Sequence, residues 1–119
     1  MTYRLPPQFL TTTENQLADH HVVARFGVVR GITVRSRSVF GTYGALLQRI
    51  AGGQISLLTE LCEQTRAEAF ALAVQHAEAL GANALVAIRY DATEIMPGVS
   101  EVLCYGTAVR IVPMKRTEE

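Results

Sequence analysis

One long segment without glycine or proline constrains the fold more than any other feature. From Ser56 to Leu80 the chain is rich in Ala, Leu and Glu, and Gly81 follows directly. These residues favour helices, and glycine commonly follows a helix C-terminus, so we predict one helix over 56–80. At 100° per residue, one side of this helix carries Leu58, Leu61, Cys62, Thr65, Ala69, Leu72, Ala73, His76 and Leu80. A second, weaker apolar patch comprises Ala67, Phe70, Ala71 and Val74.

The rest of the chain predicts mainly β-strands, before and after that helix in the sequence. The segment Val22–Val34 is rich in Val and Ile and predicts a long bent strand, with Gly27 and Gly31 at a bulge or a close backbone approach. Alternating residues predict two more strands at the C-terminal end, and Met96-Pro-Gly98 predicts the turn between them. The remaining predicted elements are an extended leader over 1–10, a brief edge strand at Thr11–Thr13, a short helix over Tyr43–Ile50 before Gly52-Gly53, strands at Ala84–Tyr90 and Glu101–Val112, and a polar tail over 113–119.

This order of elements predicts an α/β fold of the α+β type. We expect a two-layer sandwich in which the short and the long helix cover one face of a mainly antiparallel sheet. The 119 residues correspond to a single domain, 1–119. A helix of about 25 residues is roughly 38 Å long, which equals or exceeds the diameter of a compact chain of this size. Because the helix also has a second apolar patch, we predict a homo-oligomer.

Composition excludes several classes of function. The chain carries 11 basic and 11 acidic residues, so no overall positive charge favours nucleic acid or a membrane surface as a partner. With 49% hydrophobic and 18% charged residues, it is typical of a globular domain. The sequence shows neither a secretory signal nor a C-x-x-C motif, and we expect a cytoplasmic protein with reduced thiols. It contains no nucleophile motif, phosphate-binding loop or Glu-x-x-His pattern, so we predict that it is not an enzyme.

The metal-binding alternative depends on Cys62, His76 and Cys104. Cys62 and His76 are 14 residues apart on the predicted helix, about 21 Å along its axis, so they cannot ligate one ion within a chain. Cys104 belongs to a strand. A soft divalent or heavy-metal ion would therefore need a site assembled between subunits. Otherwise both cysteines are structural thiols, and no cofactor is expected. His20 and His21 precede the long strand and are expected to be exposed loop residues; on a strand, two adjacent imidazoles would point to opposite faces and would not chelate one ion together.

Charged residues predict a second kind of site on the sheet. Alternation places Arg89 and Asp91 on one face, and we expect Cys104 and Arg110 on the same face of the neighbouring strand. Arg25 joins them if Gly27 does not shift the register. An aspartate between two arginines stays ionised and leaves a net positive charge. The face is then either a solvated scaffold or a binding surface for a small anionic ligand or a protein partner.

Six short segments resemble the YbjQ-like family of small bacterial proteins, which are labelled heavy-metal-binding. The similarity extends from about Leu10 to Val112. The matching segments are Thr11-Thr-Thr13, Phe26-Gly-Val-Val-Arg-Gly31, Ile50-Ala-Gly-Gly53, Arg66-Ala-Glu-Ala-Phe70, Leu80-Gly-Ala-Asn-Ala84 and Gly106-Thr-Ala-Val109. The resemblance implies a two-layer α/β subunit that assembles into pentameric rings. It assigns no biochemical activity.

This chain departs from the family pattern after Ala84. Where relatives carry Asp-x-Asp-Tyr-Glu, it has Arg89-Tyr-Asp91-Ala-Thr93, which keeps one acid and replaces the other with a cation. The tyrosine of the pattern is Ala92 here. The exchange weakens a divalent-metal site on this strand. We therefore expect a non-enzymatic, ring-forming binding or scaffold protein that offers a repeated polar sheet face to an anionic ligand or a protein partner. A heavy-metal-binding protein with a Cys/His site between subunits is the alternative.

Overall fold

The computed structural model describes residues 8–36 and 54–115, which form four strands and one helix. The elements are β1 (Leu10–Thr11), β2 (His20–Ser36), α1 (Gln54–Ala79), β3 (Ala84–Met96) and β4 (Val99–Pro113). One sheet has the order β1-β3-β4-β2, with β1 parallel to β3 and the other neighbours antiparallel. Helix α1 packs on one side of this sheet, mainly against β2 and β4. The two-layer, mainly antiparallel α+β fold is thus confirmed. The short helix predicted over 43–50, the start of the leader and the end of the tail lie outside the described residues.

Small residues form the contact line between α1 and the sheet. Thr65, Ala69, Ala73 and Ala77 are buried and recur every four residues, which places them on one side of the helix. Opposite them lies Gly31 of β2, where an added Cβ would overlap the Ala69 carbonyl oxygen and lie 2.6 Å from the Ala73 nitrogen. The close approach predicted at Gly31 is confirmed.

This contact line corrects the prediction of which residues form the buried side of the helix. Cys62, His76 and Leu80 were expected among the packed residues but are exposed. Val74, assigned to the second patch, is fully buried in the main core. Because the helix lies against the sheet through its smallest side chains, its buried side is rotated away from the larger residues on which the prediction rested.

The end of α1 is fixed by backbone and side-chain hydrogen bonds. The Gly81 nitrogen donates to the Glu78 oxygen, and the Ala82 nitrogen donates to the Ala77 oxygen. With Gly81 at φ +95°, this is a Schellman motif, as the sequence predicted. The Asn83 side chain donates to the Ile111 oxygen at 2.9 Å and accepts from the Ile111 nitrogen at 2.8 Å. Asn83 therefore ties the helix end to β4.

Bulges set which residues each strand presents. The pairing of β2 with β4 shifts at Val22/Ala24 and at Arg25/Gly27, so the bend predicted near Gly27 is confirmed. The pairing of β3 with β4 shifts at Val86/Arg89 and at Glu94/Met96. At the first of these shifts Ala87 is the extra residue and has φ +55°, a left-handed conformation that is typical of bulges. Because a bulge adds one residue to a strand, the residues beyond it lie on the faces opposite to those that strict alternation would give them.

The sheet therefore has two faces of different character. The helix face carries Val29, Gly31, Thr33, Leu85, Ile88, Tyr90, Cys104, Gly106 and Ala108. The opposite side, here called the outer face, carries Val28, Arg30, Ile32, Val34, Arg89, Asp91, Leu103 and Tyr105. Near the β1 end of the sheet, Leu10, Leu17 and Val22 cover the outer face and pack on Ala84, Val86, Val109 and Ile111. Toward the Pro97-Gly98 turn, in what we call the turn half, the outer face is largely exposed.

The subunit is elongated. Its Cα radius of gyration is 18.2 Å and its extents are 65 × 30 × 23 Å. A compact chain of this length has a radius of gyration near 13.5 Å. The long β2-β4-β3 ribbon, which continues past the helix-packed core, accounts for the difference.

Candidate functional site on the outer face of the sheet

The candidate site is a row of three side chains across the turn half of the outer face. Arg30 of β2 lies opposite Tyr105 of β4, and Tyr105 lies opposite Arg89 of β3. Directly paired residues point to the same side of a sheet, and strands are about 4.8 Å apart, so Arg30 and Arg89 are the cross-strand neighbours of Tyr105 on the outer face. Asp91 is two residues from Arg89 on the same face. The row thus combines two cations, one phenol and one adjacent carboxylate.

Arg89 is held in place by the segment that follows β1. Its Nη1 donates to the Thr13 oxygen at 3.0 Å and to the Ile88 oxygen at 2.8 Å. A guanidinium has five N–H donors, so further donors remain for a ligand. Because planar guanidinium groups match carboxylate and phosphate oxygens, the row is suited to an anion.

Apolar residues surround this row. Val28, Ile32 and Val34 are 68%, 42% and 50% exposed, and all three lie on the outer face of β2. Leu103 lies between Ile32 and Asp91 in the neighbouring row. A ligand or partner for this surface would therefore combine negative charge with apolar contact area.

The structure separates residues that the sequence placed together. Arg89 and Asp91 share the outer face as predicted, but Cys104 and Arg110 lie on the helix side of β4. The physical reason is the extra residue Ile95 in the hairpin, which shifts the pairing so that Cys104 opposes Tyr90 rather than Asp91. Arg25 lies opposite Val109 on the outer face, but four residues along β4 from Tyr105.

Cys104 and Arg110 have structural surroundings. Cys104 is 0% exposed within the main core. Burial raises the pKa of its thiol, which keeps it protonated at neutral pH. Burial also raises the pKa of Tyr90, and the neighbouring Cys104 adds to the increase. Arg110 donates from Nη1 to the Gly81 oxygen at 3.2 Å, so it stabilises the turn after α1.

The described residues do not fit a metal site within one subunit. Nowhere in residues 8–36 and 54–115 do three or more His, Cys, Asp or Glu side chains form a group that could hold an ion. Cys62 is exposed on α1, whereas Cys104 is buried and protonated. His76 is exposed, and its Nδ1 lies 2.6 Å from the Arg30 carbonyl oxygen, to which it donates. A metal site formed by Cys62, His76 and Cys104 between subunits stays a prediction.

The histidines near the start of β2 also have local surroundings. His20 Nδ1 lies 2.8 Å from Asp19 Oδ1, and this contact lowers the pKa of the Asp19 carboxyl. The predicted loop is wrong for this pair, because both residues lie at the start of β2. His21 is exposed, as predicted, whereas His20 is partly buried. Among the described helices, none is both long and apolar enough to cross a membrane.

Two members of the row, Arg30 and Tyr105, were absent from the predicted site. The alternation of β4 assigned Tyr105 to its apolar side, and Arg25 rather than Arg30 was the arginine of the long strand that the prediction included. The signal available in the sequence was one charged residue, Arg30, within an otherwise apolar part of the strand. Its position beside Tyr105, however, depends on a register that the β2 bulges determine.

Comparison with known proteins agrees with this fold. A UPF0145 protein of Solibacter usitatus is 56% identical over 112 residues, which cover 94% of this chain and 99% of the relative. A UPF0145 protein of Chromobacterium violaceum is 52% identical over 112 residues, or 94% and 96% of the two chains. The names of these bacterial proteins state no reaction. A crystal structure of a protein of unknown function from Pediococcus pentosaceus superposes with a TM-score of 0.58 at 18% identity, covering 87% of this chain and 98% of that one. At that identity the likeness concerns the fold alone.

A family model also matches nearly the whole chain. Its description is "Putative heavy-metal-binding", and the match spans residues 9–112. The matched range includes every described strand and the helix, apart from the last residue of β4. Together with relatives more than 50% identical over almost their full length, this shows that the chain belongs to the YbjQ-like family.

Proposed function

We propose that the protein is a non-enzymatic, homo-oligomeric binding protein whose outer sheet face takes an anionic ligand. The observation that carries the proposal is the row Arg30–Tyr105–Arg89, in which three neighbouring strands present two arginines and a tyrosine side by side on an exposed surface. The row and Asp91 together leave one net positive charge per subunit. Repetition around a symmetric oligomer multiplies that charge, which favours anions over divalent cations.

The oligomer is part of the proposal. An elongated subunit, exposed apolar residues on β2 and the sheet edges described below all favour association. We propose a ring of five copies in the cytoplasm, following the family resemblance. Light scattering should then give a mass of about five times the 13.0 kDa of one chain.

Calorimetric titration with inorganic phosphate and with citrate tests the anion site. The parent should bind with an affinity that falls as salt rises, because screening weakens contacts between exposed charges. Arg30→Glu and Arg89→Glu should each weaken binding by at least tenfold. Tyr105→Phe should leave most of the charge attraction in place.

The matched control is Arg66→Glu. Arg66 is an exposed arginine on α1, on the other side of the sheet, where its guanidinium lies 5.7 Å from the centre of the Tyr90 ring. Equal weakening in Arg89→Glu and Arg66→Glu would show that only overall charge matters, and undiminished binding by Arg89→Glu would show that its guanidinium makes no contribution; either result would remove the site. Circular dichroism of each variant confirms that the fold is retained.

The metal-binding description of the family defines a separate arm of the experiment. Native mass spectrometry after exposure to zinc, copper and cadmium should show no stoichiometric binding, because the described residues of one subunit assemble no ligand set. Stoichiometric binding that is lost in Cys62→Ser would instead assign a metal site between subunits and replace the anion proposal.

A further inference from the structure

Among residues 8–36 and 54–115, both long edges of the sheet lack a neighbouring strand in the same half of the molecule. Within these residues strand β2 pairs with β4 on one side only. The outer edge of β3 is covered at its start by β1. Backbone hydrogen bonds with Thr12 and Glu14 extend this cover as far as Ile88, whose nitrogen donates to the Thr12 oxygen. From Arg89 onward, no strand within the described residues pairs with that edge. Unpaired edges are templates for further strands, so these two stretches need a partner or a protective device.

In the other half of the sheet, both edges carry protective devices, whereas in the turn half the described residues show one bulge, at Ile95 near the end of β3. In that other half β2 has two bulges, which bend a strand and interrupt its edge, and β3 is covered by β1. The turn half of β2, from Val28 to Val34, is regularly paired to β4 and has no bulge. The exposed part of each edge is therefore the part best suited to accept another strand.

Side-chain contacts identify the backbone groups that face outward on β2. The Arg30 carbonyl accepts from His76 Nδ1 and the Val34 carbonyl accepts from Arg35 Nη1, so both carbonyls point away from β4. By alternation, the backbone groups of Val28 and Ile32 point to the same edge. A carbonyl oxygen has two lone pairs and can accept a second bond. Beside this edge a groove of about 510 Å³, lined by Val28, Ile32, Leu72 and His76 among others, leaves room for a partner's side chains.

The two unpaired stretches lie at matching heights along the sheet. Strand β4 aligns them, because Tyr105 pairs with Arg30 on one side and with Arg89 on the other. Both β2 and β3 run antiparallel to β4 and hence parallel to each other. A copy rotated about an axis along the strands keeps its strand direction. Its β3 edge could therefore meet the β2 edge in parallel orientation, at a height within a few residues of its own.

We propose that the turn half of β2 in one copy pairs in parallel with the turn half of β3 in the next copy. The charges favour this pairing, since the turn half of β2 carries one cation, Arg30, and no carboxylate, whereas Asp91 and Glu94 outnumber Arg89 in the free stretch of β3. A stagger of two residues sets Arg30 beside Asp91 and Ile32 beside Thr93, all on the outer face. Pairing β2 with β2 would instead bring the arginines of both copies together.

The inference names the contact surface for the homo-oligomer proposed above and rests on that oligomer. Because two different edges meet, the contact is head-to-tail and extends to a third copy, which closes a ring when the rotation permits. The Arg30–Tyr105–Arg89 row of each copy then lies next to this contact between β2 of one copy and β3 of the next, here called the seam. The seam and the anion site are thus parts of one continuous outer surface.

Cysteine crosslinking tests the pairing in the full chain with Cys62→Ser as background. Oxidised Ile32→Cys/Thr93→Cys protein should give a ladder of covalent multimers on a non-reducing gel, because paired strands bring Cα atoms within disulfide range. An equal mixture of Ile32→Cys and Thr93→Cys single variants should give only dimers. Dimers from Ile32→Cys alone would show that β2 pairs with β2 and would overturn the proposal.

Charge exchange provides the second test. Asp91→Arg should lower the mass measured by light scattering, and Arg30→Glu/Asp91→Arg should restore it, since the double variant re-forms the pair with opposite polarity. Glu60→Arg, on an exposed position of α1, is the matched control and should keep the parental mass. A parental mass near 13 kDa would contradict both the oligomer and the seam. A multimeric parent that gives no ladder and is unaffected by Asp91→Arg would contradict the seam alone.

Discussion

At the scale of single residues, Gly81 shows how one backbone angle ends the long helix. Its φ of +95° is reached easily by glycine and poorly by a β-branched residue. We expect Gly81→Val to lower the free energy of unfolding by more than about 1 kcal/mol, the ordinary propensity cost. Gly81→Asn should cost less, because asparagine tolerates the left-handed region. Denaturant titration measures both, and a loss under about 0.5 kcal/mol for Val would mean that this conformation contributes little.

Cys104 gives the protein a pH dependence at the alkaline end. Burial raises the pKa of its thiol above the ordinary value of 9.0, so the folded chain keeps a proton that the unfolded chain releases. This contribution to stability is fully present below that ordinary value and is lost as pH rises through the folded pKa. We expect the free energy of unfolding to fall above about pH 9. The slope for one proton is about 1.4 kcal/mol per pH unit.

Comparison of the parent with Cys104→Ala separates the effect of this thiol proton on stability from the other effects of pH. The variant should be less stable at pH 7 because a core atom is removed, but its decline with pH should be shallower than that of the parent. Cys62→Ser, at an exposed position, should leave the slope unchanged. Identical slopes for the parent and Cys104→Ala would mean that the thiol titrates alike in both states.

At the scale of elements, the contact of α1 with β2 depends on the absence of a side chain at Gly31. An added Cβ would overlap the Ala69 carbonyl and the Ala73 nitrogen, which are backbone atoms that cannot rotate away. We expect Gly31→Ala to destabilise the fold by about 3 kcal/mol through overpacking. Ile32→Ala, on the exposed face of the same strand, should cost under about 1 kcal/mol in monomeric conditions. Similar losses for the two variants would show that the helix can move away from β2 at little cost.

The register of the elements was less accessible from the sequence than their existence. The helix, the long bent strand, the Pro97-Gly98 turn and the positions of Gly27, Gly31 and Gly81 follow from composition and local backbone preferences. The faces on which Cys104 and Arg110 lie do not. They depend on bulges at Ile95 and Ala87, where ordinary residues adopt bulge positions without a glycine to indicate them. The alternation of residues within one strand can be read from its own sequence, whereas the register between two strands is determined by tertiary packing.

At the scale of the whole molecule, the elongated shape leads to a prediction about thermal stability. A subunit with a radius of gyration of 18.2 Å and exposed apolar residues buries less surface than a compact chain of the same length. If association supplies the missing burial, the unfolding midpoint must rise with protein concentration, because only folded chains associate. We expect a rise of several degrees between about 1 and 100 µM. Calorimetry or circular dichroism measures it, with Asp91→Arg showing a smaller rise than the parent.

Ala87 has a consequence for how the proposed binding surface can change over evolutionary time. Because this single extra residue lies between the covered and the free parts of β3, Arg89 points away from the helix and Tyr90 points toward it. Loss of that one residue would remove the bulge and leave the pairing unchanged, with Ile88 opposite Gly106 and Arg89 still opposite Tyr105. A one-codon deletion at this position could thus straighten the edge of β3 and yet keep Arg89 and Asp91 on the proposed ligand surface.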